Sequence, residues 1–259
     1  MNLSTAHGSA SPAPPGDRFP RGAGERQADG ERDLAGCVDD RLADRFDRLA
    51  ELIGGSPHNL VSRGERDRVR SVHIEESRAV GEVLAPVPGA SWVDLGTGGG
   101  LPGLVLALCY PSTTWTLIDG TAKKVAAVAM FAAALELENV RAVHGRAEEL
   151  AWSPQHRGVH DGVVSRAVAA LSVLLELSRG FLHDGGTLAA LKGARLEEEM
   201  AAAETARLSL ALGPFHRRQL STGDRPTAVV TMCAQGPPPR RYPRRTGVPA
   251  ATPLGGAGR

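Results

Sequence analysis

The sequence predicts an α/β fold, in which a mostly parallel Rossmann-like sheet carries helices on both faces. Three observations predict it. Short apolar runs and helical patterns alternate between residues 91 and 208, which is the pattern of repeated βαβ units. A glycine-rich turn directly follows the first of these runs. Two extended runs separated by turn residues come last, and they predict an antiparallel C-terminal hairpin at one edge of the sheet.

The N-terminal region precedes this pattern and divides into two parts. Residues 1–36 are rich in Ser, Pro, Gly, Asp and Arg and have no apolar period, so they are predicted to form a disordered tail. Residues 37–88 are predicted to form a small helical segment. Its first helix is predicted from apolar residues at helical spacing and ends at Gly54, the apolar set being Leu42, Phe46, Leu49 and Ile53. A second helix is predicted over residues 66–84 and is ended by Pro86.

The α/β elements follow in order. Strands are predicted over residues 92–95, 115–119, 140–143, 162–167 and 187–191, the last entered through a turn at 184–186. Helices are predicted over residues 101–108, 123–137, 171–177 and 195–208, and the hairpin pairs 215–220 with 227–233. A class I methyltransferase combines such a sheet with a closing hairpin, which a plain dinucleotide-binding fold usually lacks. The predicted cofactor-binding domain spans residues 89–236, and a basic C-terminal tail spans 237–259.

Composition restricts the class of protein. The net charge of +1 over 259 residues provides no global field that would attract nucleic acid, so any RNA contact requires a local patch. The three cysteines, Cys37, Cys109 and Cys233, form no CxxC pair and have no histidine at metal-ligand spacing, so we expect no metal site. No apolar run is long enough for a membrane span, and the first residues lack the apolar core of a secretory signal. A cytoplasmic protein is expected.

The glycine turn at residues 94–103 fits two cofactor patterns. Gly98, Gly100 and Gly103 match the dinucleotide fingerprint, whereas Asp94, Gly96, Gly98 and Gly100 match the first motif of methyltransferases. A dinucleotide places an anionic pyrophosphate at the helix N-terminus, which a carboxylate at Asp94 disfavours. S-adenosylmethionine instead carries a sulfonium and an ammonium, which the same carboxylate attracts. The charge of Asp94 therefore favours S-adenosylmethionine as the cofactor.

Two further acidic positions suit a nucleoside ligand. Asp119 ends the second predicted strand at a distance along the chain that suits hydrogen bonds to ribose hydroxyls. Both cofactors contain that ribose, so Asp119 does not discriminate between them, and a solvated carboxylate at a strand end is the alternative. Ala147 and Glu148 follow the third strand, where adenine would lie in either fold. Glu148 taken alone also suits a helix start, where the dipole favours an acid.

Six segments together carry a family resemblance. They are DLGTGGGLPGLVLAL (94–108), LIDGTAKKVAAV (117–128), NVRAVHGRAEEL (139–150), HDGVVSRAVAAL (160–171), LAALKG (188–193) and RRYPRRTGVP (240–249). In this order and spacing they resemble the bacterial 16S ribosomal RNA guanine-N7 methyltransferases, the RsmG family, also called GidB (glucose-inhibited division protein B). The Leu-Pro-Gly ending of the first segment is the most specific part. The resemblance covers roughly residues 42–254.

The resemblance implies an activity and a set of cofactor contacts. It implies methyl transfer from S-adenosylmethionine to N7 of a guanine in 16S ribosomal RNA, at position 527 of the RNA. Carried over residue by residue, its cofactor contacts fall on Gly96, Leu101, Ala147, Glu148 and Arg166. The chain departs from the family pattern mildly, with Glu76 where aspartate is usual, with Thr246 where proline is usual, and with about forty N-terminal residues that have no counterpart.

The chemistry of guanine N7 explains why no catalytic acid or base is predicted. N7 carries a free lone pair and no proton, so the enzyme needs only to orient it, with Arg166 and Lys192 as possible helpers. The chain also lacks the motifs that methylate exocyclic amines or pyrimidine carbon 5. RNA phosphates are expected at basic residues near the C-terminal ends of the strands and in the tail, with Tyr242 stacking on a base. These are Lys192, Arg240, Arg241, Arg244 and Arg245.

Two other functions stay open from the sequence. An NAD(P)-dependent oxidoreductase should carry a Tyr/Lys acid-base pair, but neither Tyr110 nor Tyr242 lies four residues before a lysine. A non-catalytic RNA-binding relative should have lost its cofactor turn, which is intact here. His73 lies in the second helix, where a structural hydrogen bond is expected of it rather than catalysis. The expected partner is 16S ribosomal RNA or the small ribosomal subunit, with no membrane association, and the chain is expected to be a monomer.

Overall fold

The computed structural model describes residues 32–222 and 225–256, with the side chains of 32–39 and 63 left out. The predicted disordered tail therefore lies mostly outside the described residues. The first helix, α1 (Arg32–Gly54), begins inside that predicted tail and earlier than its apolar pattern indicated. Its predicted end is confirmed, and Phe46, Leu49 and Ile53 are buried on one face as their spacing predicts.

The second predicted helix, over residues 66–84, is wrong as a single α-helix. A 3₁₀ segment (Arg63–Arg68) leads into a π-helical segment (Val69–Ile74), and only then does α2 (Glu75–Leu84) begin. The charged run of the 3₁₀ segment has no apolar face that could hold a regular α-helix against the core. The predicted end at Leu84 is confirmed.

The sheet has seven strands in the order β3-β2-β1-β4-β5-β7-β6, and the first five of these are parallel. The strands are β1 (Ser91–Leu95), β2 (Thr114–Asp119), β3 (Val140–His144), β4 (His160–Arg166), β5 (Leu182–Lys192), β6 (His216–Leu220) and β7 (Thr227–Cys233). β7 pairs antiparallel with β5, and β6 pairs antiparallel with β7. The predicted α/β class with its closing hairpin is confirmed.

The helices of the domain are α3 (Gly103–Cys109), α4 (Ala122–Ala134), α5 (Ala147–Leu150), α6 (Leu171–Arg179), α7 (Leu196–Ser209) and α8 (Val248–Ala251). The four-residue helices α5 and α8 were not predicted, because a single turn has no apolar period. The predicted turn at residues 184–186 is wrong. β5 begins at Leu182 and runs through Gly185, which has a positive φ of 80°. The pairing of β5 with β4 shifts in register here, between His160 and Gly162, as in a β-bulge.

Two apolar clusters cover the two faces of the sheet. Trp92 and Trp115 belong to one cluster with α1, α3 and α4, and their rings stack with centroids 5.8 Å apart. Val93, the neighbour of Trp92, belongs to the other cluster with α6 and α7. This alternation is the two-residue period of a strand buried on both faces. It explains why β1, an interior strand of the sheet, is apolar apart from Ser91 and Asp94.

The C-terminal segment after β7 lies against the second cluster. The guanidinium of Arg157 donates to the carbonyl oxygens of Pro238, Pro239 and Tyr242, and that of Arg179 donates to Gly236 and Pro237. Each guanidinium thus satisfies several carbonyl groups that no sheet or helix pairs. Among the residues that the structure describes, no helix has the length and hydrophobicity needed to cross a membrane.

A buried histidine predicts a specific pH dependence of stability. Burial, with a contribution from nearby His156, lowers the pKa of His160 to about 4, against an ordinary value of 6.5. Between pH 4 and pH 6.5 the unfolded chain therefore binds a proton at this histidine that the folded protein does not bind. The free energy of unfolding consequently falls as the pH drops from 6.5 to 4. The loss is about 3 kcal/mol for this one group.

The His160→Gln variant isolates this contribution. We expect wild type to lose stability relative to the variant across that pH range, as measured by urea denaturation of both at matched pH values. A difference between the two proteins that does not change from pH 6.5 to 4 would show that His160 titrates normally in the folded state.

Candidate functional site

A cavity of about 1140 Å³ lies where the carboxyl ends of β1, β4 and β5 meet the helical N-terminal segment and the hairpin. This edge of a parallel sheet, at the point where the strand order reverses, is where α/β proteins bind ligands. The walls include much of the glycine turn, the loop after β4 and the loop after β5. Of the predicted site residues, Gly96, Gly98, Leu101, Arg166 and Lys192 line the cavity.

The glycine turn needs glycine at two positions for reasons visible in the structure. Gly96 has a φ of 72°, and a Cβ there would lie 2.4 Å from a methyl carbon of Val168. Gly100 has a φ of 90°, and a Cβ there would lie 2.3 Å from Leu104. Side chains at either position would strain the backbone and collide with neighbours. The turn therefore presents bare backbone to the cavity.

Asp94 organises this turn from beneath. One carboxylate oxygen, Oδ2, accepts hydrogen bonds from the hydroxyl of Thr97 at 2.7 Å and from the backbone N–H of Gly103 at 2.9 Å. The other oxygen, Oδ1, is buried and accepts no hydrogen bond from any residue that the structure describes. Complete burial raises the pKa of the Asp94 carboxyl to about 6, although these two hydrogen bonds oppose the shift. Asp94 is 0% exposed and is absent from the described cavity walls, so it meets the cavity through the turn that it holds, and its contact with the cofactor stays a prediction.

Asp119 also binds the backbone of the turn. Its carboxylate accepts the N–H of Gly98 at 3.1 Å and that of Thr121 at 2.8 Å, and the ammonium of Lys124 lies 4.0 Å away. The side chain is largely buried. The two predicted acids therefore meet at one turn, where Asp94 binds the N–H of Gly103 and Asp119 binds those of Gly98 and Thr121.

Arg166 is the charged group that β4 brings to the cavity. Its guanidinium lies 3.8 Å from Glu76 on α2, and both side chains are mostly buried. Burial lowers the pKa of Arg166, opposed by the charges of Glu76 and Asp94. Burial also disfavours the ionised form of Glu76, but interactions with His73 and Thr227 and the charge of Arg166 outweigh it, so the pKa of Glu76 lies below its ordinary value. Glu76 therefore faces Arg166 as an anion.

This pair extends into a network that the sequence did not reveal. The hydroxyl of Thr227, in β7, donates to Glu76 at 2.8 Å. His73 lies between two carboxylates, with Nε2 3.1 Å from Glu65 and Nδ1 3.6 Å from Glu76. Glu65 in turn lies 3.2 Å from Arg225 of the hairpin. The network joins the N-terminal segment to the hairpin across the cavity, over separations along the chain that no local motif marks.

Lys192 lines the same cavity but its ammonium is already bound. It donates to the carbonyl oxygen of Ala169 at 2.6 Å and to the carboxylate of Glu199 at 2.7 Å, and only 8% of its surface is exposed. The same Glu199 carboxylate accepts the N–H of Leu171. Lys192 therefore fixes the loop after β4 in place, and its contact with RNA phosphates stays a prediction.

Ala147 and Glu148 lie outside the cavity. Glu148 is buried, and its carboxylate accepts the backbone N–H of Gly247 at 3.0 Å and the guanidinium of Arg146 at 3.2 Å. Although burial opposes ionisation, these hydrogen bonds hold the pKa of Glu148 below its ordinary value. Its side chain therefore anchors the C-terminal segment, as a helix-start acid, and any adenine contact stays a prediction.

The predicted RNA-binding residues of the tail fall into two groups, those that pack against or pair with the rest of the protein and those that are exposed. Tyr242 is only 6% exposed, so its ring has no free face and the predicted base stacking is not supported. The Arg244 guanidinium pairs with the carboxylate of Glu176, which is 0% exposed, at 2.6 Å. Arg240, Arg241 and Arg245 are exposed. This segment thus buries one aromatic residue and pairs one arginine with a buried carboxylate, and composition alone did not distinguish these two residues from their neighbours.

Comparisons with known proteins agree on one family. The model of the GidB family, described as rRNA small subunit methyltransferase G, matches residues 45–226. A protein named ribosomal RNA small subunit methyltransferase G from Deinococcus deserti is 47% identical over 221 residues, covering 82% of this chain and 89% of its own length. One of the same name from Lactococcus lactis subsp. cremoris is 33% identical, covering 84% of this chain and 93% of its own length.

Solved structures of low identity share the fold. TrmN from Thermus thermophilus superposes with a TM-score of 0.52 at 19% identity, covering 74% of this chain and 53% of its own. A putative sarcosine dimethylglycine methyltransferase from Galdieria sulphuraria superposes with a TM-score of 0.54 at 9% identity, covering 74% of this chain and 98% of its own. At these identities the similarity shows a methyltransferase-type fold.

Proposed function

This chain belongs to the GidB family of rRNA small subunit methyltransferase G proteins, and from that premise we propose that it methylates N7 of a guanine in 16S ribosomal RNA, with S-adenosylmethionine as the methyl donor. The single observation that carries this proposal is the cavity at the glycine turn. There, bare turn backbone and a buried arginine face one space at the ligand-binding edge of the sheet.

The residues present fit this donor. The turn offers backbone without side chains at Gly96, and the unpartnered oxygen of Asp94 keeps a negative charge directly beneath it, which suits a cationic ligand. Gly96, Gly98 and Leu101 would hold the donor along the turn, and the guanidinium of Arg166 would bind its carboxylate. When bound, S-adenosylmethionine supplies an electrophilic methyl group on a sulfonium. An anionic pyrophosphate fits this turn poorly, because Asp94 would repel it.

The chain has only to orient the nucleophile. Guanine N7 has a lone pair in the plane of the ring and loses no proton on methylation, so the walls must hold the base and exclude water. The network around Glu76 closes the cavity between the N-terminal segment and the hairpin, and Lys192 fixes the loop that carries Val168 against the turn. These residues position groups and none of them is required as a general base.

Methyl transfer by purified protein tests the proposal. With 16S ribosomal RNA from a strain that lacks the gene, we expect 7-methylguanine in nucleoside mass spectra of the reacted RNA. Arg166→Gln is expected to lower kcat/KM by on the order of 10-fold or more, since Glu76 is left without its counter-ion. Arg217→Gln serves as the matched control, because Arg217 is exposed on β6 and its guanidinium contacts the exposed side chains of Glu197 and Gln219. Methylation at another atom, or equal rates for both variants, would contradict the proposal.

A further inference from the structure

Trp152 is held as a fixed, exposed aromatic platform. It follows α5 and is 44% exposed, whereas Trp92 and Trp115 are 5% and 1% exposed. Its indole N–H donates to the carbonyl oxygen of Pro243 at 3.0 Å, and the guanidinium carbon of Arg157 lies 3.9 Å from the centre of its ring. One edge and one face of the ring are therefore occupied, while the residue as a whole stays 44% exposed.

The platform lines a second cavity, of about 970 Å³, which we call the Trp152 cavity. Its walls include Trp152, two acids and three arginines, namely Glu148, Glu149, Arg241, Arg244 and Arg245. Among the residues that the structure describes, none lines both this cavity and the larger one at the glycine turn. None of the predicted site residues of the glycine turn takes part in it.

The charges around the Trp152 cavity favour an anion. Its two acids keep their charge, although Glu148 is paired with the guanidinium of Arg146 and Glu149 accepts a hydrogen bond from the hydroxyl of Thr246, and the three arginines of the walls outnumber them. Arg244 is bound to buried Glu176. Arg241 and Arg245, by contrast, are exposed and form no ion pair with any residue in the ranges that the structure describes. The two arginines that can bind a ligand, Arg241 and Arg245, thus line the same cavity as the exposed indole of Trp152.

We propose that the Trp152 cavity binds one unpaired nucleotide of the RNA substrate, with the base stacked on Trp152 and the flanking phosphates beside Arg241 and Arg245. An aromatic ring beside exposed arginines is the combination by which proteins hold single-stranded nucleic acid, because every base has a face that stacks and every linkage carries a charge. The identity of the ligand rests on the proposed function. The rigid setting of Trp152 lowers the entropy lost on stacking.

Fluorescence tests this inference directly, because Trp152 is the exposed tryptophan among three. Titration of wild-type protein with a short single-stranded RNA oligonucleotide is expected to quench the emission, since a stacked base quenches indole. Trp152→Phe keeps a ring but removes the exposed fluorophore, so the quenching should disappear. Trp152→Ala is expected to raise the KM for RNA by about 10-fold or more while the Kd for S-adenosylmethionine is unchanged.

The salt dependence of RNA binding by an arginine variant makes the test independent of Trp152, and a methyl-transfer assay separates it from the proposed function. Arg245→Gln should lower the slope of log K against log salt by about one, as loss of one phosphate contact predicts. Equal quenching in wild type and Trp152→Phe, or quenching by an acidic peptide and not by RNA, would overturn the inference. Wild-type protein that is quenched by RNA but transfers no methyl group would overturn the proposed function alone.

Discussion

Replacing Arg244 with alanine is expected to lower the free energy of unfolding by about 3–5 kcal/mol. The carboxylate of Glu176 is 0% exposed, and it accepts hydrogen bonds from Arg244 through its backbone N–H, Nε and Nη2 at 2.8, 2.9 and 2.6 Å. The truncation removes the counter-ion and leaves a buried charge with a single backbone donor. The same guanidinium also donates to the carbonyl oxygen of Thr252, so the end of the C-terminal segment is released as well.

The neighbouring Arg245 provides the matched control. It is exposed, so Arg245→Ala should change the free energy of unfolding by no more than about 0.5 kcal/mol while it weakens RNA binding. Urea denaturation measures the stability of both variants, and filter binding measures their affinity for RNA. An Arg244→Ala protein as stable as wild type, with weaker RNA binding, would show that Arg244 is free to face the RNA.

Replacing Asp94 with alanine is expected to raise the Kd for S-adenosylmethionine by on the order of 100-fold. The substitution leaves the buried hydroxyl of Thr97 and the N–H of Gly103 without an acceptor, which destabilises the turn by about 1–3 kcal/mol for each group and so lowers the population of the turn conformation that binds the donor. It also removes the negative charge beneath the turn. Titration calorimetry without RNA measures the affinity, and Thr97→Ser, which keeps the hydroxyl bonded to Asp94, is the control.

The pKa of Asp94 adds a pH test of the same residue. Because burial raises this pKa to about 6, the carboxyl is ionised at pH 7.5 and mostly neutral at pH 5. We expect wild type to lose affinity for the cationic donor between these values. Asp94→Asn, which has no charge to lose, should show a flat profile over that range. A folded Asp94→Ala protein with wild-type affinity at neutral pH would exclude this role.

The sequence by itself determined the fold class and the family. The strand before the glycine turn, the alternating elements and the hairpin are marked by local periodicity, because a strand buried on both faces and an amphipathic helix leave different patterns in consecutive residues. The turn is marked by glycines at fixed spacing, since glycine adopts the positive φ of Gly96 and Gly100 without strain and has no Cβ to collide with Val168 or Leu104.

Only the tertiary structure decided what each charged side chain binds. Asp94 faces the backbone of its turn, Lys192 is bound to Glu199, and Tyr242 is buried, although all three were expected to contact ligands. Glu76 meets Thr227 across 151 positions, and Trp152 meets Pro243 across 91. Local patterns record which face of an element is apolar. They do not record which distant element packs against that face. The residues of that distant element determine whether a charged side chain is paired or exposed.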